Sequence, residues 1–143
     1  MSLSFDVYIN FKGTKAELVR LLDKELSIRV AGDNPWLFGF VEIVLTSRKY
    51  DPHMFEGRRC HPYKFLLQGT TYAAARDLGE ITELPIMDVL AQLIAGTLNI
   101  PTMISCDADG SYRHYRAATR SQKREGWSVI DKSTGKPPEG FFV

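Results

Sequence analysis

This sequence lacks several features that would point to a particular class of protein. Lysine and arginine (18) nearly balance aspartate and glutamate (17), so the net charge of +1 creates no overall field to gather nucleic acid or an anionic membrane. No apolar run approaches the roughly 18 residues that span a bilayer, and the first five residues do not resemble a secretory signal. The two cysteines, Cys60 and Cys106, lie in dissimilar settings and favour reduced thiols. We therefore expect a cytoplasmic protein without a membrane partner.

The sequence also has few patterns that carry catalytic or metal chemistry. It contains no nucleophile elbow, phosphate-binding glycine loop or paired-carboxylate motif. The run Asp107-Ala108-Asp109-Gly110 begins like a calcium loop, but Ala118 stands where the bidentate glutamate belongs, which favours a hairpin turn. We expect no enzyme activity, no bound metal and no cofactor.

One loop keeps two chemical alternatives open. Arg58, Arg59 and His61 could favour the thiolate of Cys60, although a catalytic cysteine would also need a positioned base. The same cysteine with His53 and His61 could begin a zinc site, but a fourth ligand at a familiar spacing is missing. An exposed binding loop accounts for the segment more simply, because long loops inside compact domains tend to be functional.

The amounts of apolar and charged residue indicate a folded domain. With 143 residues, 44% of them hydrophobic and 24% charged, the chain can bury about two-thirds of its unfolded surface. We expect one domain over residues 1–143, with its core at about 4–116. Residues 117–143 then form a C-terminal extension, with one candidate strand at Trp127–Ile130.

Alternating and apolar runs predict the strands. Residues 4–11 alternate, with Phe5, Val7 and Ile9 on the core face and Tyr8 on the other. Four further runs are predicted strands: 36–48, 63–69, 102–106 and 112–116. The charged residues of the last run favour a position at the edge of the sheet.

Two helices are predicted from capping and spacing signals. Thr14 and Glu17 have capping-box spacing, and leucines recur at helical intervals as far as Leu26. A second helix begins near Thr82, with Pro85 in its first turn, and stops at Asn99. Apolar residues cover most of its circumference, which predicts burial on more than one side.

These elements predict an α+β fold with the order β-α-β-β-α-β-β. Both helices pack on one face of a mainly antiparallel sheet, in a variant of the ferredoxin-like arrangement. The opposite face then presents Tyr8, Phe38, Phe40 and Val44, and such an apolar surface usually meets a partner.

Aromatic and arginine side chains mark two candidate contact regions. Such residues are enriched at protein interfaces. The predicted contacts are His53, Phe55, Arg58 and Arg59 in the 51–61 loop, and Tyr112, Arg113, Tyr115 and Arg116 near the last predicted strand. The basic run continues through Arg120 and Arg124. It could bind a nucleic-acid backbone, complement an acidic protein surface, or merely keep an edge strand soluble.

The layout over about residues 4–116 resembles small bacterial immunity proteins of contact-dependent growth-inhibition systems. The likeness comprises the opening strand Phe5–Asn10, a capped helix, a two-strand unit with a long loop, an apolar helix ending at Pro101, and the hairpin at 107–110. The resemblance implies a cytosolic protein that neutralises a cognate toxin by binding it. If that toxin is a nuclease, the acidic residues of the second helix are the better surface: Asp77, Glu80, Glu83 and Asp88.

A second resemblance supplies the alternative function. The runs Val7-Tyr8-Ile9 and Phe38 to Ile43 resemble fragments of the motifs of RNA-recognition domains, where aromatic side chains stack on unpaired bases. The resemblance implies that Tyr8, Phe38 and Phe40 bind single-stranded RNA. Trp36 and Leu37 depart from that motif, because a basic residue and a glycine are expected there.

Overall fold

The computed structural model describes residues 3–30, 36–37, 41–47, 62–71, 76–106, 111–121 and 129–134. Side chains are described over 6–30, 42–47, 62–69, 87–104 and 113–121. The elements are β1 (Leu3–Ile9), α1 (Lys15–Leu26), β2 (Trp36–Leu37), β3 (Val41–Ser47), β4 (Phe65–Thr71), α2 (Arg76–Leu98), β5 (Thr102–Cys106), β6 (Ser111–Ala117) and β7 (Val129–Thr134).

The strands of the described ranges form one sheet in the order β2-β3-β4-β1-β5-β6-β7, with every pairing antiparallel. At the centre of the sheet, β4 lies between β3 and β1, and β1 lies between β4 and β5. The chain passes through α1 between β1 and β3, and through α2 between β4 and β5, which makes two split β-α-β units. The predicted α+β class and ferredoxin-like arrangement are confirmed, with β2, β6 and β7 added at the edges.

The hydrophobic core lies between the sheet and the two helices. Buried side chains of both helices and of the facing strands form one cluster, which includes Val7, Ile9, Leu18, Leu22, Ile43, Leu67, Leu90, Ile94 and Ile104. The strand members are the alternate residues that pleating places on one face. Because both helices contribute to this cluster, they lie on the same side of the sheet, as predicted.

The predicted first helix is confirmed at both ends. Thr14 is the N-cap: its hydroxyl accepts from the Glu17 backbone N–H (3.2 Å), and the Glu17 carboxylate accepts from the Thr14 N–H (2.8 Å). The helix ends at Ser27, which has a left-handed backbone (φ 54°). The Ser27 N–H donates to the Asp23 carbonyl at 3.0 Å, the bond of an αL cap, and the Ile28 N–H donates to the Leu22 carbonyl at 3.0 Å.

The predicted start of the second helix is wrong. α2 begins at Arg76, so Pro85 lies in the helix interior. Thr82 and Pro85 have the residue types of an N-cap and a first turn, which is why the sequence suggested a later start. The predicted stop is confirmed, because Asn99 has a left-handed backbone (φ 55°) immediately after Leu98.

The predicted burial of the second helix on more than one side is also wrong. Met87, Leu90 and Ile94 are buried against the sheet, but Val89 is 51% exposed and Leu93 is 44% exposed. Their apolar character alone could not distinguish a buried face from an exposed one.

The predicted strand over 36–48 is two strands. Leu37 pairs with Val41 and Trp36 with Glu42, so the chain reverses direction between β2 and β3. Phe38 and Phe40 lie outside the described residues.

The predicted edge position of the strand near residue 112 is wrong. β6 pairs with β5 on one side and with β7 on the other, from Tyr112–Thr134 to Ala117–Val129. The charged residues that favour an edge position lie on an internal strand.

Candidate docking surface

Half of the predicted contact residues cannot be placed. His53, Phe55, Arg58 and Arg59 lie outside the described residues, as does Cys60. Their predicted role remains a prediction. Tyr112 lies in β6, and its side chain is outside the described set.

Arg113 and Tyr115 face the helices. Tyr115 is fully buried, and its hydroxyl donates to the Asp88 carboxylate of α2. Arg113 Nη1 lies 3.5 Å from the other carboxylate oxygen of Asp88. Tyr115 therefore joins β6 to α2 and has no exposed ring for a partner. Asp88 likewise serves this internal contact, although its side chain keeps some exposure.

Arg116 lies on the opposite face from Arg113 and Tyr115, because successive strand residues alternate. The predicted basic run is therefore divided between two faces of the sheet. Arg116 is half-buried and reaches the end of the sheet, where it lines a cleft.

This cleft, which we call the terminal cleft, has a volume of about 610 Å³. It lies where the end of β1, the C-terminal end of α2 and the segment after β6 meet, with one contribution from α1. The lining comprises Asn10, Phe11, Lys12, Leu21, Leu98, Asn99, Ile100, Pro101, Arg116, Ala117, Ala118 and Thr119.

The terminal cleft combines an apolar floor with a basic rim. Ile100 and Ala118 are buried, whereas Phe11, Leu21 and Leu98 are partly exposed. The Asn10 N–H donates to the Pro101 carbonyl at 2.9 Å, which joins two walls of the cleft. Among the described lining residues, the charged side chains are Lys12, which is exposed, and Arg116, and none is acidic.

A shallower depression of about 360 Å³ adjoins the terminal cleft. Its lining is Phe11, Glu17, Arg20, Leu21 and Lys24, so Phe11 and Leu21 are shared with the cleft. A Cβ at Gly13 would overlap the Glu17 carboxylate and would lie 2.7 Å from the Phe11 ring. Glycine at this position therefore allows both the capping box and the position of the Phe11 ring.

The undescribed 48–61 segment is bounded by strands that end near the terminal cleft. Ser47 pairs with Phe65, Phe65 with Ile9, and Ile9 with Thr102. Thr102 in turn pairs with Tyr115, one residue before Arg116. These residues form one row across the sheet, so β3 ends and β4 begins at the end where Arg116 lies.

The sequence missed most of the terminal cleft. It identified Arg116, and it identified Asn99 and Pro101 as a helix stop, but it assigned no role to Lys12 or Thr119. Gly13 marks the break after β1 and so indicates where Lys12 leaves the sheet. No local pattern shows that this break lies beside the end of α2, because the two are about ninety residues apart in sequence.

The opposite face of the sheet is buried at its centre. Tyr63, Leu66, Met103 and His114 are buried there, although no described helix covers this face. Tyr63 hydroxyl and His114 Nδ1 are 3.0 Å apart, and Tyr8 meets the Tyr63 ring edge-on at 6.3 Å. Tyr8 is itself half-buried. We call Tyr63, Leu66, Met103 and His114 the opposite-face cluster.

The described residues contain no group of three or more His, Cys, Asp or Glu side chains arranged to hold a metal ion. Within the same ranges, neither helix combines the length and apolar character that crossing a bilayer requires.

Comparisons of the chain with protein-family models, curated proteins and solved structures give no significant match.

Proposed function

We propose that this protein is a non-enzymatic protein-binding module, specifically a cytoplasmic immunity protein that binds and neutralises a cognate bacterial toxin. The observation that carries the proposal is the terminal cleft, an open surface with partly exposed apolar side chains beside Lys12 and Arg116. Protein interfaces commonly combine an apolar centre with a polar rim and include arginine among their contacts.

The composition of the cleft supports binding over catalysis. The described residues of its lining include no histidine, cysteine or carboxylate, the usual groups for proton transfer and covalent catalysis at neutral pH. Lysine and threonine are present as Lys12 and Thr119, and both are exposed. The chemistry of this surface is therefore that of charge and apolar contact.

Binding of single-stranded RNA has less support. Stacking requires an aromatic ring with a free face on an open surface. Tyr8 is half-buried and meets the Tyr63 ring edge-on, whereas Phe38 and Phe40 lie outside the described residues.

Co-expression with a toxin tests the proposal. The toxin would be the C-terminal domain of a large secreted protein encoded beside this gene. We expect the pair to co-purify as a complex, and we expect this protein to restore growth to cells that express the domain. A toxin domain from an unrelated system is the control, and it should be neither bound nor neutralised.

Two results would contradict the proposal. One is undiminished killing by the neighbouring toxin, with no complex by size-exclusion chromatography. The other is salt-sensitive binding to unstructured RNA that is lost in the Tyr8→Ala variant, which would favour the alternative.

A further inference from the structure

We propose that the terminal cleft binds an acidic segment of the partner protein, with a carboxylate between Lys12 and Arg116 and a neighbouring apolar side chain on Phe11 and Leu98. This inference rests on the proposed function, and it adds the docking site and the chemistry that the site recognises.

The positive charges of the cleft favour binding of an anionic group of the partner. Lys12 and Arg116 are its charged lining residues, and neither forms a salt bridge within the described part of the chain. The nearest acid in sequence, Glu17, accepts from the Thr14 backbone N–H at 2.8 Å and lines the neighbouring depression instead. A guanidinium group binds a carboxylate through two parallel hydrogen bonds, and the partial burial of Arg116 strengthens such a pair.

The apolar floor of the cleft favours an apolar side chain of the partner beside that anionic group. Phe11, Leu21 and Leu98 are each partly exposed in the lining, and burial of this surface by a partner is favourable. A volume of about 610 Å³ lies within the range of sites that enclose small ligands. A peptide segment with adjacent acidic and apolar residues satisfies both parts of the cleft.

A protein segment fits better than a nucleic acid. A nucleic-acid track needs several cations in succession, whereas the described lining of the cleft has two and the chain has a net charge of +1. Arg113 cannot extend the track, because it faces the helices and lies 3.5 Å from Asp88.

A peptide probe tests the site without knowledge of the toxin. The probe is a capped heptapeptide with three glutamates and two leucines, and its control replaces each glutamate with glutamine. In two-dimensional NMR titrations, we expect the acidic peptide to shift the backbone amides of Lys12, Asn99, Arg116 and Thr119. The glutamine peptide should shift these amides little, and added salt should weaken the binding of the acidic peptide.

Charge reversal at Lys12 and Arg116 tests whether the acidic peptide binds in the terminal cleft. In the Lys12→Glu/Arg116→Glu variant, we expect the acidic peptide to bind at least tenfold more weakly. The matched control is Lys15→Glu/Arg29→Glu, which changes the net charge equally at two exposed positions outside the cleft lining and should stay within twofold of the wild type. Thermal unfolding of both variants shows whether the fold is intact.

The outcomes separate the two proposals. Equal binding of the acidic and glutamine peptides, or equal weakening in both double variants, overturns the cleft inference. Full neutralisation of the toxin by Lys12→Glu/Arg116→Glu also overturns it and leaves the proposed function standing. Failure of the wild-type protein to bind the toxin overturns the proposed function, whatever the peptide does.

Discussion

At the residue scale, Ser27 holds a backbone conformation that disfavours its own side chain. Its φ of 54° lies in the left-handed region, where its N–H reaches the Asp23 carbonyl at 3.0 Å and ends α1. A residue with a Cβ is strained there by roughly 1–2 kcal/mol, and glycine is not. Glycine, however, loses more conformational entropy on folding, by roughly 0.5–1 kcal/mol.

We therefore predict that Ser27→Gly raises the free energy of unfolding by about 0.5–1 kcal/mol, because the relief of strain exceeds the added entropy cost. Urea unfolding followed by circular dichroism measures the change. Arg20→Gly is the control: this residue is exposed in the interior of α1, and glycine there should lower stability by about 1 kcal/mol. A loss of stability in Ser27→Gly would contradict the prediction.

The neighbouring β6 residues illustrate a second effect at this scale. Arg113, Tyr115 and Arg116 are all residue types common at interfaces, yet of these three only Arg116 lines the terminal cleft. The alternation of a strand assigns Arg113 and Tyr115 to the side of α2, where both contact Asp88. Residue type indicated suitability for an interface, while the direction of each side chain decided whether a partner can reach it.

At the scale of elements, α2 shows how a helix with many apolar residues is oriented. Ile94 is fully buried, whereas the adjacent Leu93 is 44% exposed. The two residues have similar side chains, so their burial alone distinguishes them.

We predict that Ile94→Ala lowers the free energy of unfolding by about 2–5 kcal/mol, because it removes core contacts and leaves a cavity. Leu93→Ala is the matched variant and should cost only about 1 kcal/mol, since 44% of the Leu93 surface already faces water. Chemical denaturation of both variants provides the measurement. Similar losses would show that α2 is rotated about its axis or covered on its outer face.

At the scale of the whole molecule, the opposite-face cluster connects separate parts of the sheet. Tyr63 precedes β4, and His114 lies in β6, on the other side of β1 and β5. The Tyr63 hydroxyl and His114 Nδ1 are 3.0 Å apart and buried. Such a contact holds the chain that follows the 48–61 segment to the β5–β6 side of the sheet.

A double-mutant cycle of Tyr63→Phe and His114→Phe tests this connection. Residues in direct contact commonly show coupling energies of about 0.5–3 kcal/mol, and we expect a value in that range. Each single variant should be less stable than the wild type, because it leaves a buried polar atom without this hydrogen bond. Additive effects of the two substitutions would contradict the contact.

The sequence by itself determined the features that depend on neighbours along the chain. The α1 capping box, the stop at Asn99, the core face of β1 and the α+β class all follow from short-range spacing and local backbone preference. Errors arose where a local signal had two meanings, as with Thr82 and Pro85 in α2 and with the charges of β6.

Only the tertiary structure decided which distant residues share a surface. Lys12 and Arg116 are 104 positions apart (116 − 12) and line one cleft, because β1 and β6 both end at the same end of the sheet. Tyr115 is buried for the related reason that β7 and α2 enclose its strand. Pairing between strands that are remote in sequence sets these positions, and no local pattern of residues records it.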